Sequence, residues 1–122
     1  MTEQVKAEDI DFSKFMLQDT AVLVPKDPLG QPMQISGADV KFELYGPHTE
    51  RYSTAVKILK PELEGEARLA NQAEFLAMLT KEVRNFPFPG GAEAIYKARG
   101  FAIITEQVRQ FTVYAGNFWP AG

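Results

Sequence analysis

The feature that most constrains this chain is a change of hydrophobic period at Gly46-Pro47. Before it, Val40, Phe42 and Leu44 alternate with Lys41 and Glu43, the period-two pattern of a strand with one buried face. After it, Tyr52, Ala55, Val56 and Leu59 fall at i, i+3, i+4 and i+7, one face of a helix. A chain whose strands precede its helices points to an α+β domain, with helices packed on one face of a small sheet.

The strand half has two runs. Thr20-Ala21-Val22-Leu23-Val24 is short, apolar and rich in β-branched residues, and Pro25 stops it. Lys26 to Pro32 reads as a tight reversal, with prolines presetting φ and Gly30 available for positive φ. With Val40 to Tyr45, this predicts a β-hairpin or small antiparallel sheet across residues 20–45. Around Gly37 the pattern fits either a bulge or a second turn. A hairpin alone is marginal in water, so it needs the helices or a neighbouring subunit.

Three to four helices are predicted, over residues 49–60, 66–86, 92–98 and 101–115. The first starts at His48 or Thr49, and Pro61 breaks it. Glu62 to Glu66, acidic with Gly65 inside, reads as a linker or a frayed helix start. Leu69, Ala73, Leu76, Leu79, Val83 and Phe86 step along the second and longest helix, widened by Phe75 and Met78. Pro87, Pro89, Gly90 and Gly91 cannot continue it. Gly100 is placed to be the left-handed stop of the third. Ile103, Ile104, Val108, Phe111 and Ala115 of the fourth face the core. Residues 1–18 form an acidic arm, loose or partner-docking, with Glu3, Glu8, Asp9 and Asp11 interrupted by Phe12, Phe15, Met16 and Leu17. Residues 19–119 form a single domain, and 122 residues are enough to bury a core unaided.

There is no cysteine, which removes disulfides, thiolate metal sites and a cysteine nucleophile. The lone histidine, His48, has no second imidazole or thiol to share a metal, and its position suits a surface or cap. Asp9, Asp11, Glu62, Glu64 and Glu66 lie in polar segments that supply no burial to separate their pKa values. Ser13, Ser36 and Ser53 lack a nucleophile-elbow setting. Gly90-Gly91 lacks the rest of a phosphate loop and reads as a turn. No catalytic residue, metal or cofactor is therefore expected. A net charge of −3, with Lys and Arg scattered among acids, argues against nucleic acid. No apolar run approaches the ~20 residues of a membrane span, and the first residues lack the layout of a signal peptide. The expected location is the cytoplasm.

What remains is binding to protein. Aromatics crowd the last third, and Phe118-Trp119-Pro120 lies beyond the final helix. The pair either folds back as a plug or presents an adhesive surface to a partner. Phe118 and Trp119 are the first candidate contacts, with Tyr45 on the hairpin behind them. Self-association into a homo-oligomer is left open.

The layout also resembles a family. Val24-Pro25, Asp27 to Pro32, Val40 to Pro47, Thr49-Glu50-Arg51-Tyr52, Glu93 to Tyr96, Ile104 to Val108 and Gly116-Asn117-Phe118 together are similar to the small tail assembly chaperones of siphovirus-like bacteriophages, whose long tails are non-contractile. The resemblance spans roughly residues 21–118. It implies a non-enzymatic protein of the host cytoplasm that coats the tape-measure protein and keeps it soluble. Such a protein passes its client to the tail-tube protein and is absent from the finished particle. The alternative is a structural protein of the tail, a tail-terminator or head–tail joining subunit.

Overall fold

A computed structural model describes residues 4–120; Glu3 and the ends of the chain lie outside the described residues. The architecture is α+β. Strand β1 (Thr20–Leu23) pairs antiparallel with β4 (Lys41–Tyr45), Leu23 opposite Phe42 and Thr20 opposite Tyr45. Between them, β2 (Gln34–Ile35) and β3 (Ala38–Asp39) form a second small hairpin. Its two-residue turn, Ser36-Gly37, has φ of 52° and 79°. Two successive positive φ values match the right-handed twist of the flanking strands, which resolves the ambiguity at Gly37 in favour of a turn. The preceding reversal closes through a bridge between Lys26 and Pro32, with Gly30 at φ 81° and the Asp27 carboxylate accepting from Leu29 N and Gln31 N.

The helices are α1 (Glu50–Val56), α2 (Gly65–Met78), α3 (Gly91–Lys97) and α4 (Ala102–Val113). Thr49, not His48, caps α1, its hydroxyl accepting from Tyr52 N at 3.2 Å. That hydroxyl also donates to Gly46 O at 2.8 Å, so the sheet-to-helix turn is fixed by one buried side chain.

The predicted helix over 66–86 needs correction. It stops at Met78, and Thr80–Arg84 becomes β5, on the other side of β4. Leu79 and Val83 are four apart, a spacing that puts both on one side of a strand as well as of a helix. The outcome is decided by β4, whose second edge carries backbone groups that burial obliges to pair. Thr80 fastens the junction: its hydroxyl donates to Leu76 O at 2.8 Å and lies 2.7 Å from the Tyr96 hydroxyl. Burial raises the Tyr96 phenol well above its ordinary pKa, so it stays protonated.

Gly100 is also corrected. Its φ is not positive, and it lies inside a 3-10 turn, Arg99–Phe101, that leads directly into α4. The third helix ends instead as Ala98 goes extended at ψ 114°. Left-handed backbone is found at the other end of α3, where Gly90 has φ 92°.

All four helices bear on one face of the sheet. Phe42 and Leu44 of β4 are fully buried there with Ala55, Leu76, Leu79, Ile95, Tyr96, Ile104 and Val108. The opposite face carries Val22, Lys41, Glu43, Glu82 and Arg84. Here Glu43 accepts from Thr20 Oγ1 at 2.8 Å and pairs with Arg84 at 2.6 Å and Lys81 at 3.7 Å. The Thr20 hydrogen bond, with the two cations behind it, holds the Glu43 carboxyl below its ordinary pKa. A carboxyl lowered on folding contributes stability above its unfolded pKa, and loses it as pH falls through the folded value. Urea midpoints should therefore fall less steeply with acid in Glu43→Gln than in the unaltered chain. Parallel pH curves for the two would remove Glu43 from the account.

Candidate functional site

The three residues proposed as contacts meet different fates. Phe118 is 1% exposed and packs on Phe111 (ring centroids 5.6 Å) and His48 (5.9 Å). It sits in a 3-10 turn, Ala115–Phe118, pinned by Asn117 Nδ2 donating to Phe111 O and by Gln18 N donating to Phe118 O. Phe118 is thus the plug and offers no contact surface. Trp119, the next residue, is 54% exposed. Tyr45 is half-buried beneath Arg51, whose guanidinium carbon lies 5.6 Å from the ring centroid. The structure brings Phe118 and Trp119 to one turn but does not gather the three into one patch.

Two apolar depressions went unnoticed in the sequence. The first is a cleft of about 580 Å³ between the β2–β3 hairpin and the start of α4. Met33, Val40, Phe86, Phe101 and Ile104 line it, and Ile35 and Ile103 stand at 41% and 52% exposure. Ile103 was expected to face the core with Ile104; on the helix only Ile104 does. The floor is aromatic: Phe86 and Phe101 meet each other and Phe88 behind them, edge to face or tilted, at 5.0–6.3 Å. The reversal that precedes the hairpin is tied to the middle of α4 by Gln107, which both donates to Lys26 O and accepts from Lys26 N at 2.8 Å.

The second depression is a groove between α1, α2 and α4. Two neighbouring hollows of about 520 and 430 Å³ share Val56, Leu59, Arg68 and Gln72. Val56, Leu59 and Val113 are exposed along it, so the apolar face read for α1 is only half covered by the fold. Thr105 lines the same groove, and its buried Oγ1 has no hydrogen-bond partner. An unpaired buried hydroxyl costs about 1–3 kcal/mol, so Thr105→Val should raise stability, by about 1 kcal/mol in a urea melt. A loss of stability instead would mean that the hydroxyl is satisfied in solution.

Among the described residues no three His, Asp or Glu side chains converge as a metal site. His48 touches a phenylalanine ring rather than a carboxylate or hydroxyl. Among the described residues no helix is long and apolar enough to cross a membrane. No protein-family model, curated protein or solved structure matches the chain.

Proposed function

We propose that this protein is a non-enzymatic tail assembly chaperone of a siphovirus-like bacteriophage. Its client is the tape-measure protein, which it keeps soluble in the host cytoplasm and passes to the tail-tube protein before leaving the particle. The observation that carries the reading is the cleft between the β2–β3 hairpin and α4. A long helical client must hide apolar stripes, and such stripes bind by inserting side chains at i, i+3, i+4 and i+7 into an apolar groove. The cleft offers an aromatic floor, a flexible methionine in Met33, and two isoleucine lips already exposed to water. Those features suit a binder that grips apolar side chains without reading a fixed sequence. The sequence resemblance suggests the client, and the apolar cleft supports the reading as a surface suited to a helical one.

Co-expression tests this directly. The chaperone should raise the soluble fraction of the tape-measure protein and co-purify with it. A double variant, Ile35→Asp with Ile103→Asp, alters exposed positions and should fold normally yet lose both effects. If the unaltered chain leaves the tape-measure protein insoluble and unbound, the proposal fails. Stoichiometric recovery of the chain from purified particles would favour the tail-structural alternative.

A further inference from the structure

The three-stranded sheet has two free edges, and they differ in kind. The outer strand β5 carries Lys81, Glu82 and Arg84, and its pairing with β4 is irregular at Glu43–Leu44. Charged side chains and bulges are the usual means of keeping a free edge from pairing with another chain. The β1 edge has neither. Thr20 to Val24 holds no charge, no proline and no glycine, and its register with β4 is unbroken.

Antiparallel pairing alternates, and this fixes which backbone groups lie on that edge. Gly46 N donates to Asp19 O, so Asp19 bonds toward β4, as do Ala21 and Leu23. Thr20, Val22 and, next in the alternation, Val24 turn their N–H and C=O groups away from the sheet. Gln18 belongs to the same outward set, and its N–H donates to Phe118 O. The C-terminal turn thus takes up the edge at Gln18. Past that point the edge is open. A hollow of about 390 Å³ is lined by Leu23 and Val24 of the edge and by Gln110, Phe111 and Tyr114 at the end of α4. Val22, in the middle of the outward set, is 44% exposed.

A second copy of β1 fits this edge. Laid antiparallel about Val22, two copies set Thr20 opposite Val24, Val22 opposite Val22, and Val24 opposite Thr20. All are outward residues, so each pair exchanges both of its hydrogen bonds, about six in all. On the open face these are contacts between β-branched side chains, a favourable cross-strand pairing. On the helix side Ala21 meets Leu23 of the other copy, a small residue against a large one. At each end Asp19 comes beside Pro25 and Lys26 of the other copy. Asp19 and Lys26 are opposite charges with no ion pair among the described residues. Glu43, the acid opposite Val22 on β4, is already held by Thr20, Arg84 and Lys81. No like charges are brought face to face.

We propose that two copies of this chain join β1 to β1 about a two-fold axis at Val22, so that their three-stranded sheets become one continuous antiparallel sheet. The helices of both copies then lie on one side of it. Each copy uses the same surface, so the assembly closes at two copies and does not propagate. The contact leaves the cleft between the β2–β3 hairpin and α4 untouched and does not rest on the function proposed for it.

Because the chain has no cysteine, one introduced thiol can report the axis. Opposed residues that exchange hydrogen bonds stand about 5.5 Å apart at Cα, within disulfide reach. Val22→Cys should therefore oxidise to a covalent dimer under conditions that leave Leu29→Cys, at an 85% exposed position, unlinked. Sedimentation of the unaltered chain should pass from one copy to two with rising concentration and stop there. Val22→Lys should weaken association at least about tenfold, since two lysines would meet at the axis. Its thermal transition at low concentration should match the unaltered chain, because the position is exposed and lies opposite Glu43. Phe12→Ser with Phe15→Ser, at exposed arm positions, should dimerise as the unaltered chain does. A chain that stays monomeric up to near-millimolar concentration overturns the proposal. So does growth past two copies, equal cross-linking of the two cysteine variants, a dimer that survives Val22→Lys, or one that is lost with Phe12 and Phe15.

Discussion

Phe118→Ala is expected to lower the stability of the folded chain by about 3–5 kcal/mol, and Trp119→Ala, one residue later, by no more than about 0.5 kcal/mol. Phe118 is 1% exposed in a pocket made by Phe111 and His48. Its removal leaves a cavity that its surroundings fill only in part, because the turn bearing it is fixed at both sides by Asn117 and Gln18. The same turn seats the start of β1 and the arm, so the loss reaches the sheet edge as well. In a thermal melt the first variant should fall by roughly 10–20 °C while the second stays near the unaltered protein. Equal small shifts would mean that the C-terminal turn is not part of the folded unit. Any loss of binding seen with Phe118→Ala would report unfolding, whereas a loss with Trp119→Ala would report a real contact.

Gly46→Ala should cost about 1–3 kcal/mol, although alanine adds only one methyl group. A Cβ at this position would stand 2.6 Å from His48 Cε1 and 2.9 Å from Phe118 Cγ. His48 is at the surface and can swing away; Phe118 is enclosed and cannot. Gly46 is needed there for close approach, since its φ is not positive. Its N–H donates to Asp19 O and its carbonyl accepts from Thr49, so the backbone cannot shift to make room. Urea titration of Gly46→Ala beside Gly116→Ala would separate the cases: the atoms nearest the added carbon in the second all belong to the exposed Tyr114 ring, which can rotate. A neutral Gly46→Ala would show that the Phe118 plug is looser than its packing indicates.

Periodicity over short windows was a good guide wherever one neighbour dictated the outcome. The alternation of Val40, Phe42 and Leu44 required a one-faced strand, and that strand lies at the centre of the sheet with those three side chains buried. Pro25, the Asp27–Gly30 reversal and Gly46-Pro47 all mark real boundaries, because proline and glycine act through the local backbone alone. The start of α1 at Thr49 was legible from its capping hydroxyl, and α2 begins one residue before the predicted Glu66.

The misses share a different cause. Thr80 to Arg84 has apolar spacing compatible with two structures, and only the open edge of β4, more than thirty residues earlier, makes it a strand. Ile103 and Ile104 are neighbours with the same side-chain composition; which one faces inward depends on where α4 meets β4. Phe118 and Trp119 read as one aromatic pair, yet the 3-10 turn sends them to opposite sides of the surface. The cleft and the groove between α1, α2 and α4 were illegible altogether, since each is built from segments far apart in the chain.

By itself, then, the sequence determined that the chain opens with strands, that its period turns helical after Gly46-Pro47, and where its proline and glycine turns fall. Each of these follows from forces acting within a few residues. Tertiary structure alone decided that the sheet has a third strand, that Phe118 is a plug and Trp119 is not, and which apolar side chains are left in water. Those outcomes depend on which surfaces happen to meet, and burial is a property of the meeting rather than of the residue.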